Sequence, residues 1–292
     1  MNAIISKISE YIELIKFEHT IFALPFALSG MLLANTQALP EIYAVFWVLL
    51  AMVGGRTAAM ALNRVIDADI DKKNPRTSDR AIPAGKIKKT SALTLALLSF
   101  CALIFAAWQL PLICRQLLPL AILILALYSY TKRFTHLSHF VLGGALGAAA
   151  TGGWLAISGE ITVPSVLWGF AIVFWVAGFD VIYAIQDIDF DRKHNLFSIP
   201  AWLGINKSLI LSRIFHVFTL TFLLILGIIM KTGLYYWLGV IFTLFALIYE
   251  HSLLKANDLS GLNKAFFNVN GYISIGMFLF ILLDTIFRIK IF

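Results

Sequence analysis

The sequence predicts an all-α integral membrane protein, with nine transmembrane helices bundled around a cavity that faces the cytoplasm. Three observations carry that expectation. Hydrophobic residues fill 60% of the 292 positions and charged residues only 13%, whereas a soluble chain carries about a quarter charged residues. The apolar residues gather into runs near the 20 or so that a helix needs to cross the hydrocarbon core. The basic residues lie between those runs and favour one side. The chain reads as a single domain over residues 1–292.

Residues 1–16 begin the chain as an interfacial amphipathic helix. Ile4, Ile5, Ile8, Ile12 and Ile15 recur at helical spacing, with Lys7, Glu10 and Glu13 at other positions, the pattern of a helix lying in a membrane surface. Spans then follow at 17–34, 41–63, 91–108, 112–130, 138–157, 164–186, 209–230, 233–250 and 268–287. Glu18 and His19 open the first span at the interface, where a lone histidine is an interfacial residue rather than a metal ligand. Cys101 and Cys114 each sit in an apolar run and read as packing residues, not as a disulfide pair.

Nine spans divide the connections into two sets. The set that includes the N-terminus holds 17 basic residues and the other set holds 3, with Arg56, Arg115 and Arg213 inside spans. The positive-inside rule therefore puts the N-terminus and the loops that follow even-numbered spans in the cytoplasm. The net charge of +7 does not mark a nucleic-acid binder. Such a protein gathers Lys and Arg on a solvated face interleaved with aromatics, not between lipid-length segments.

The acidic residues are concentrated. Eight of the ten aspartates fall in two stretches, Asn63 to Gly85 after the second span and Asp180 to Pro200 at the end of the sixth. Both spans end on the same side, so the two stretches are expected to face each other across a cavity. Residues four apart share a helical face. Asn63, Asp67 and Asp71 thus line one face, and Asp187 and Asp191 another, with Asp180 two turns earlier; Asp69 and Asp189 point away. Clustered carboxylates suit Mg²⁺, which is held by one or two of them together with phosphate oxygens. Arg76, Arg80, Arg192 and Lys193 follow the clusters and are available for the remaining phosphate charge. The pattern is that of a magnesium–diphosphate site.

The order of these motifs resembles the UbiA-type intramembrane aromatic prenyltransferases. The resemblance rests on the NDxxDxxxD-like stretch from Asn63 to Asp71, the RxxPxG stretch from Arg80 to Gly85, YSYTKRFTHL from Tyr128 to Leu137, and DVIYAIQDIDFD from Asp180 to Asp191. It implies that Asp67, Asp71, Asp187 and Asp191 are catalytic and hold Mg²⁺, that Asn63 joins them around a prenyl diphosphate, and that Arg80, Lys132 and Arg133 contact the diphosphate. One position departs from the family pattern: Arg64 stands where an Asp is usual. With KFEHTIFALPFALSG and ALNRVID, that departure resembles a bacterial branch related to 4-hydroxybenzoate polyprenyltransferases, some of whose members are linked to menaquinone made through futalosine.

The resemblance implies Mg-dependent transfer of a polyprenyl group from polyprenyl diphosphate to a 4-hydroxybenzoate-like aromatic acid, in ubiquinone or menaquinone biosynthesis, at the bacterial inner membrane and among its lipids. The alternative acceptor is a naphthoate of the futalosine route. Arg56 lies seven residues before Asn63, on the same face and deeper; it either meets the acceptor's carboxylate or pairs structurally with a motif carboxylate. Asp180 and Tyr183 are expected to border the substrate pocket, or else to be polar packing residues. GGALGAAATGG, from Gly143 to Gly153, predicts tight helix packing, or a smooth wall for an isoprenoid tail. The alternative of another class, a secondary transporter, would carry its essential charges inside the spans. A CDP-alcohol phosphotransferase lacks support because its DGxxAR signature is absent, and a soluble prenyl synthase is excluded by the lipid-length runs.

Overall fold

Each apolar run becomes a helix, and the helices enclose the end of the bundle that carries both aspartate stretches. The computed structural model describes residues 2–16, 20–35 and 37–291; Glu18, His19 and the side chains of Ile4, Ile5 and Ile8 lie outside the described set. The described residues form eleven α-helices in chain order: α1 Asn2–Leu14, α2 Thr20–Ala34, α3 Ile42–Asp71, α4 Lys89–Trp108, α5 Leu112–Thr131, α6 Ser138–Ser158, α7 Val163–Ala184, α8 Ile188–Lys193, α9 Ile199–Ile229, α10 Leu234–Ser252 and α11 Asn270–Ile291. A 3₁₀ turn at Ile185–Asp187 joins α7 to α8, and a π-helical segment at Lys264–Val269 leads into α11.

Among the described residues, eight helices are long and apolar enough to cross a membrane. The first expected span, 17–34, is described from Thr20 onward as α2, an apolar helix of 15 residues. Two boundaries differ from expectation. α3 runs unbroken for 30 residues, about 45 Å, so Asn63 to Asp71 form the last part of a spanning helix, while the remainder of the first aspartate stretch follows it. α9 begins at Ile199, not 209: Ser198 caps it by accepting from the Ala201 N–H, and Pro200 sits in its first turn. Gly204, at φ 77°, kinks this added segment.

Small residues set the helix spacing. A Cβ on Gly143 would strike the Val173 carbonyl of α7, and one on Gly153 the Ala27 carbonyl of α2. The glycine-rich run of α6 therefore brings α2 and α7 close to it. α7 is the most enclosed of the long helices, and its Trp168 and Trp175 are wholly buried against Phe26. Its N-terminus is fixed by a capping box between Thr162 and Ser165. The outward faces carry Leu97, Leu98, Phe105, Ile228 and Phe245, all exposed, as lipid-facing surfaces require.

Candidate active site

α3 and α7 both finish at one end of the bundle, and a cavity of about 520 Å³ opens between them. Asn63, Asp67 and Asp71 reach it from α3, and Asp180, Tyr183, Asp187 and Asp191 from α7 and its continuation. The helical phase read from the sequence explains the sorting. Asp69 falls on the outer face, where its 86% exposed side chain meets Lys89 at 3.0 Å, and Asp189 is exposed.

Asp67, Asp71 and Asp187 are held by cations. Asp67 is 3% exposed and accepts from Lys132 Nζ at 2.6 Å, Arg133 Nη2 at 2.9 Å and Asn63 Nδ2 at 2.9 Å. Arg80 Nη1 lies 2.7 and 2.8 Å from the two oxygens of Asp71. Arg76 donates through Nε and Nη2 to the two oxygens of Asp187, at 2.9 and 2.6 Å, and Asn74 Nδ2 adds a third bond at 3.1 Å. Burial disfavours the Arg76 charge, yet the hydrogen bonds and charge of Asp187, together with Tyr183, raise its pKa above the usual guanidinium range. Arg76 Nη1 also donates to the Tyr183 hydroxyl at 3.1 Å. Asp191 accepts from Ser198 Oγ at 2.8 Å.

The segment 72–88 makes this arrangement possible. Thr77 Oγ1 donates to the Asp71 carbonyl, and Asn74 Oδ1 accepts from the Arg76 N–H. These short bonds fold the chain back over the cavity, so that residues following the first motif reach the second.

The deep end of the cavity is different. Arg56 lines it, and its buried Nε has no hydrogen-bond partner among the described residues. Arg56, Met60, Tyr128, Leu142 and Leu146 also border a second, apolar cavity of about 360 Å³ between α3, α4, α5 and α6. Ala145, Ala149 and Gly152 help to line this apolar space, so the small-residue run both packs α6 and forms a smooth wall. On the opposite side, Asp180 Oδ2 lies 2.7 Å from His139 Nδ1.

Three basic residues depart from expectation. Arg133 does not line the cavity; it stands behind Asp67 and also donates to the Ser129 and Ile66 carbonyls. Arg192 and Lys193 are also outside the lining: α8 presents Phe190 and Asp191 to the cavity, and Arg192 Nε donates to the Ala201 carbonyl of α9. Arg64, the residue that departs from the family pattern, is 5% exposed and donates through Nε to the Leu14 carbonyl at the end of α1. Glu13, Leu14 and Lys16 thereby close part of the cavity rim. Asn74, Ser129, His139 and Ser198 also line the site and were not evident in the sequence; only the polarity of His139 at the start of an apolar span marked it.

The donor set fits a hard divalent cation. Four motif carboxylates offer oxygen ligands to one cavity, while no three His, Cys, Asp or Glu side chains converge among the described residues. That suits an ion completed by phosphate oxygens better than an all-protein cage.

The chain matches the UbiA prenyltransferase family over residues 23–280. A 4-hydroxybenzoate octaprenyltransferase of Herminiimonas arsenicoxydans is 31% identical over 255 residues, covering 83% of this chain and 86% of that protein. Its counterpart in Citrobacter koseri is 29% identical, covering 84% of each chain. A solved apo UbiA homolog from Aeropyrum pernix K1 superposes with a TM-score of 0.83 at 33% identity, over 91% of this chain and 98% of that one. A UbiA homolog from Archaeoglobus fulgidus, bound to GPP and Mg²⁺, shares the fold with a TM-score of 0.75 at 19% identity, over 96% of this chain and 99% of that one. With both aspartate clusters on one cavity of a helical membrane bundle, this chain belongs to the UbiA prenyltransferase family.

Proposed function

We propose that the protein transfers a polyprenyl group from polyprenyl diphosphate to a carboxylated phenol of the 4-hydroxybenzoate class, in the making of a membrane quinone. The observation that carries this reading is the junction of two unlike spaces at Arg56: a charged cavity suited to diphosphate and an apolar one suited to an isoprenoid tail. An arginine with an unpartnered buried Nε at that junction calls for an anion, and a planar guanidinium matches a carboxylate at two points.

Asp67, Asp71, Asp187 and Asp191 would hold Mg²⁺, with Asn63 beside them. Bound Mg²⁺ would supply positive charge to the departing diphosphate. Lys132, Arg76 and Arg80 already reach the cavity and exchange part of their carboxylate contacts for phosphate oxygens, stabilising the charge that develops as the C–O bond breaks. Arg56 orients the acceptor by its carboxylate. The apolar wall keeps water from the allylic cation, and the electron-rich ring carbon beside the phenolic hydroxyl attacks it. No protein nucleophile takes part.

The same reading puts this end of the bundle at the cytoplasm of a bacterial inner membrane, because the segments between even-numbered spans and their successors carry most of the basic residues. It treats the chain as one unit, with α1 in the interface. The test is an acceptor panel with detergent-purified protein, Mg²⁺ and labelled polyprenyl diphosphate. 4-Hydroxybenzoate is expected to give the prenylated acid; a futalosine-route naphthoate and dihydroxynaphthoate are the comparisons. Better turnover of dihydroxynaphthoate, whose use would not require the hydroxybenzoate reading, would overturn the assigned acceptor.

A further inference from the structure

The aspartate motifs account for four carboxylates of the cavity; of the others, Glu13 and Asp79 are exposed, and Asp180 is partly buried. Asp180 lies seven residues before Asp187, four of them along α7 and three through the 3₁₀ turn, about 12 Å deeper at 1.5 and 2.0 Å per residue. Arg56 lies the same number of residues before Asn63 on α3. Asp180 therefore borders the part of the cavity where the acceptor ring belongs, not the part where the diphosphate does.

Its surroundings differ from those of the motif residues. Asp67, Asp71 and Asp187 are each bonded to Lys or Arg. Asp180 has no Lys or Arg within ion-pair distance among the described residues; its partner is His139, 4% exposed, with Nδ1 at 2.7 Å from Oδ2. The protonation pattern of that histidine follows from its other bond. The Ile199 backbone N–H points to His139 Nε2 at 3.2 Å, and an amide nitrogen donates only. Nε2 must present its lone pair, so Nδ1 carries the ring proton and donates it to Asp180 Oδ2. Asp180 is left as a carboxylate fixed in direction, with Oδ1 making no hydrogen bond among the described residues and the side chain 22% exposed to the cavity.

We propose that Asp180 is the base that takes the proton from the prenylated ring carbon, and that His139 is the positioning residue that aims it. The assignment rests on the prenyl-transfer reading above. In that step the ring carbon bonds to the allylic carbon as the C–O bond breaks, and the electron pair of that bond leaves with the diphosphate. The ring carbon then bears both the prenyl group and its hydrogen. Its proton passes to Asp180 Oδ1 and the C–H electron pair restores the aromatic ring. The proton afterwards leaves Asp180 for water at the open end of the cavity. His139 keeps Nδ1 on Asp180 and Nε2 on the Ile199 N–H throughout.

The test uses the full chain in detergent with Mg²⁺, polyprenyl diphosphate, and 4-hydroxybenzoate deuterated at the ring carbons beside the hydroxyl. In the native protein, proton loss follows the slower formation of the cation, and the deuterium effect on turnover is expected to be near unity. In Asp180→Asn, turnover falls at least about a hundredfold, the scale of a lost general base, and the deuterium effect rises clearly above the native value because C–H cleavage has become slow. His139→Leu behaves in the same direction. His139→Gln restores most activity and the native isotope effect, since its amide offers one donor and one acceptor in place of the two ring nitrogens. Only a changed isotope effect separates a base from a packing residue. An isotope effect unchanged from native in Asp180→Asn and in His139→Leu, with thermal unfolding midpoints near native, overturns the assignment; should Asp180→Asn not fold, the His139 pair alone decides it. Absence of prenylated acid from the native protein refutes the parent reading instead.

Discussion

Arg76 and Asp187 meet as a two-point ion pair across 111 residues of sequence, with Nε and Nη2 of one 2.9 and 2.6 Å from the oxygens of the other. The contact ties the segment after the first aspartate motif to the second motif, so the two clusters are built as one site. Tyr183 extends the link: it accepts from Arg76 and stacks on Phe266 with ring centroids 4.0 Å apart. Arg76→Ala is expected to raise the KM for polyprenyl diphosphate more than the KM for the aromatic acid. Arg76→Lys should recover only part of the loss, because an ammonium cannot make the paired contact. Steady-state kinetics with each substrate varied in turn checks both outcomes.

Helical phase divides the aspartates into inward and outward groups, and activity should follow the division. Asp67→Ala and Asp187→Ala are each expected to reduce turnover at least about a hundredfold, as when a preorganised electrostatic contact is removed. Asp69→Asn should stay within a few-fold of native, since Asp69 faces outward against Lys89. Turnover assays on extractable, monodisperse protein measure the difference; comparable loss in Asp69→Asn would contradict the phase.

Arg56 provides a sharper discrimination. Arg56→Lys is expected to raise the KM for the aromatic acid roughly tenfold or more, the scale of a weakened hydrogen bond to a charged group, with the KM for polyprenyl diphosphate nearly unchanged. A contact made equally in ground and transition states leaves kcat largely intact. Equal rises in both KM values would mark Arg56 as a structural residue.

The close approach of α6 to its neighbours predicts a contrast between two glycines of one helix. A Cβ at Gly153 would collide with the Ala27 backbone, whereas one at Gly144 would meet nothing within 4 Å. Gly153→Ala should therefore destabilise the protein by about 1–3 kcal/mol, the usual cost of overpacking, and Gly144→Ala should leave its thermal midpoint near native. Unfolding in detergent reads both.

Much of the fold was legible because a bilayer imposes length and composition on every spanning helix. The early start of α9 was hidden by Asn206 and Lys207, polar residues that look like the end of a loop, although Ser198 and Pro200 already spelled a helix start. The aspartate faces were legible because each lies within one short run of consecutive helical turns. Contacts between distant segments were not. Arg192 seemed available to phosphate by its place after a motif, yet the turn into α9 draws it to the Ala201 carbonyl. The tautomer of His139 depends on Asp180 and on the Ile199 N–H, 41 and 60 residues away, and no local pattern encodes that. The role of Arg64 likewise required knowing that α1 ends against α3.

On the proposed reading, cleavage of a prenyl diphosphate is coupled to prenylation of an aromatic acid in this one cavity. The direct measurement is the ratio of diphosphate released to prenylated acid formed, with purified protein, Mg²⁺, polyprenyl diphosphate and 4-hydroxybenzoate. Equal amounts of the two products are expected, with both lost when Mg²⁺ is chelated and restored when it is returned. Diphosphate released at the same rate with and without the aromatic acid, and no prenylated product, would contradict that reading.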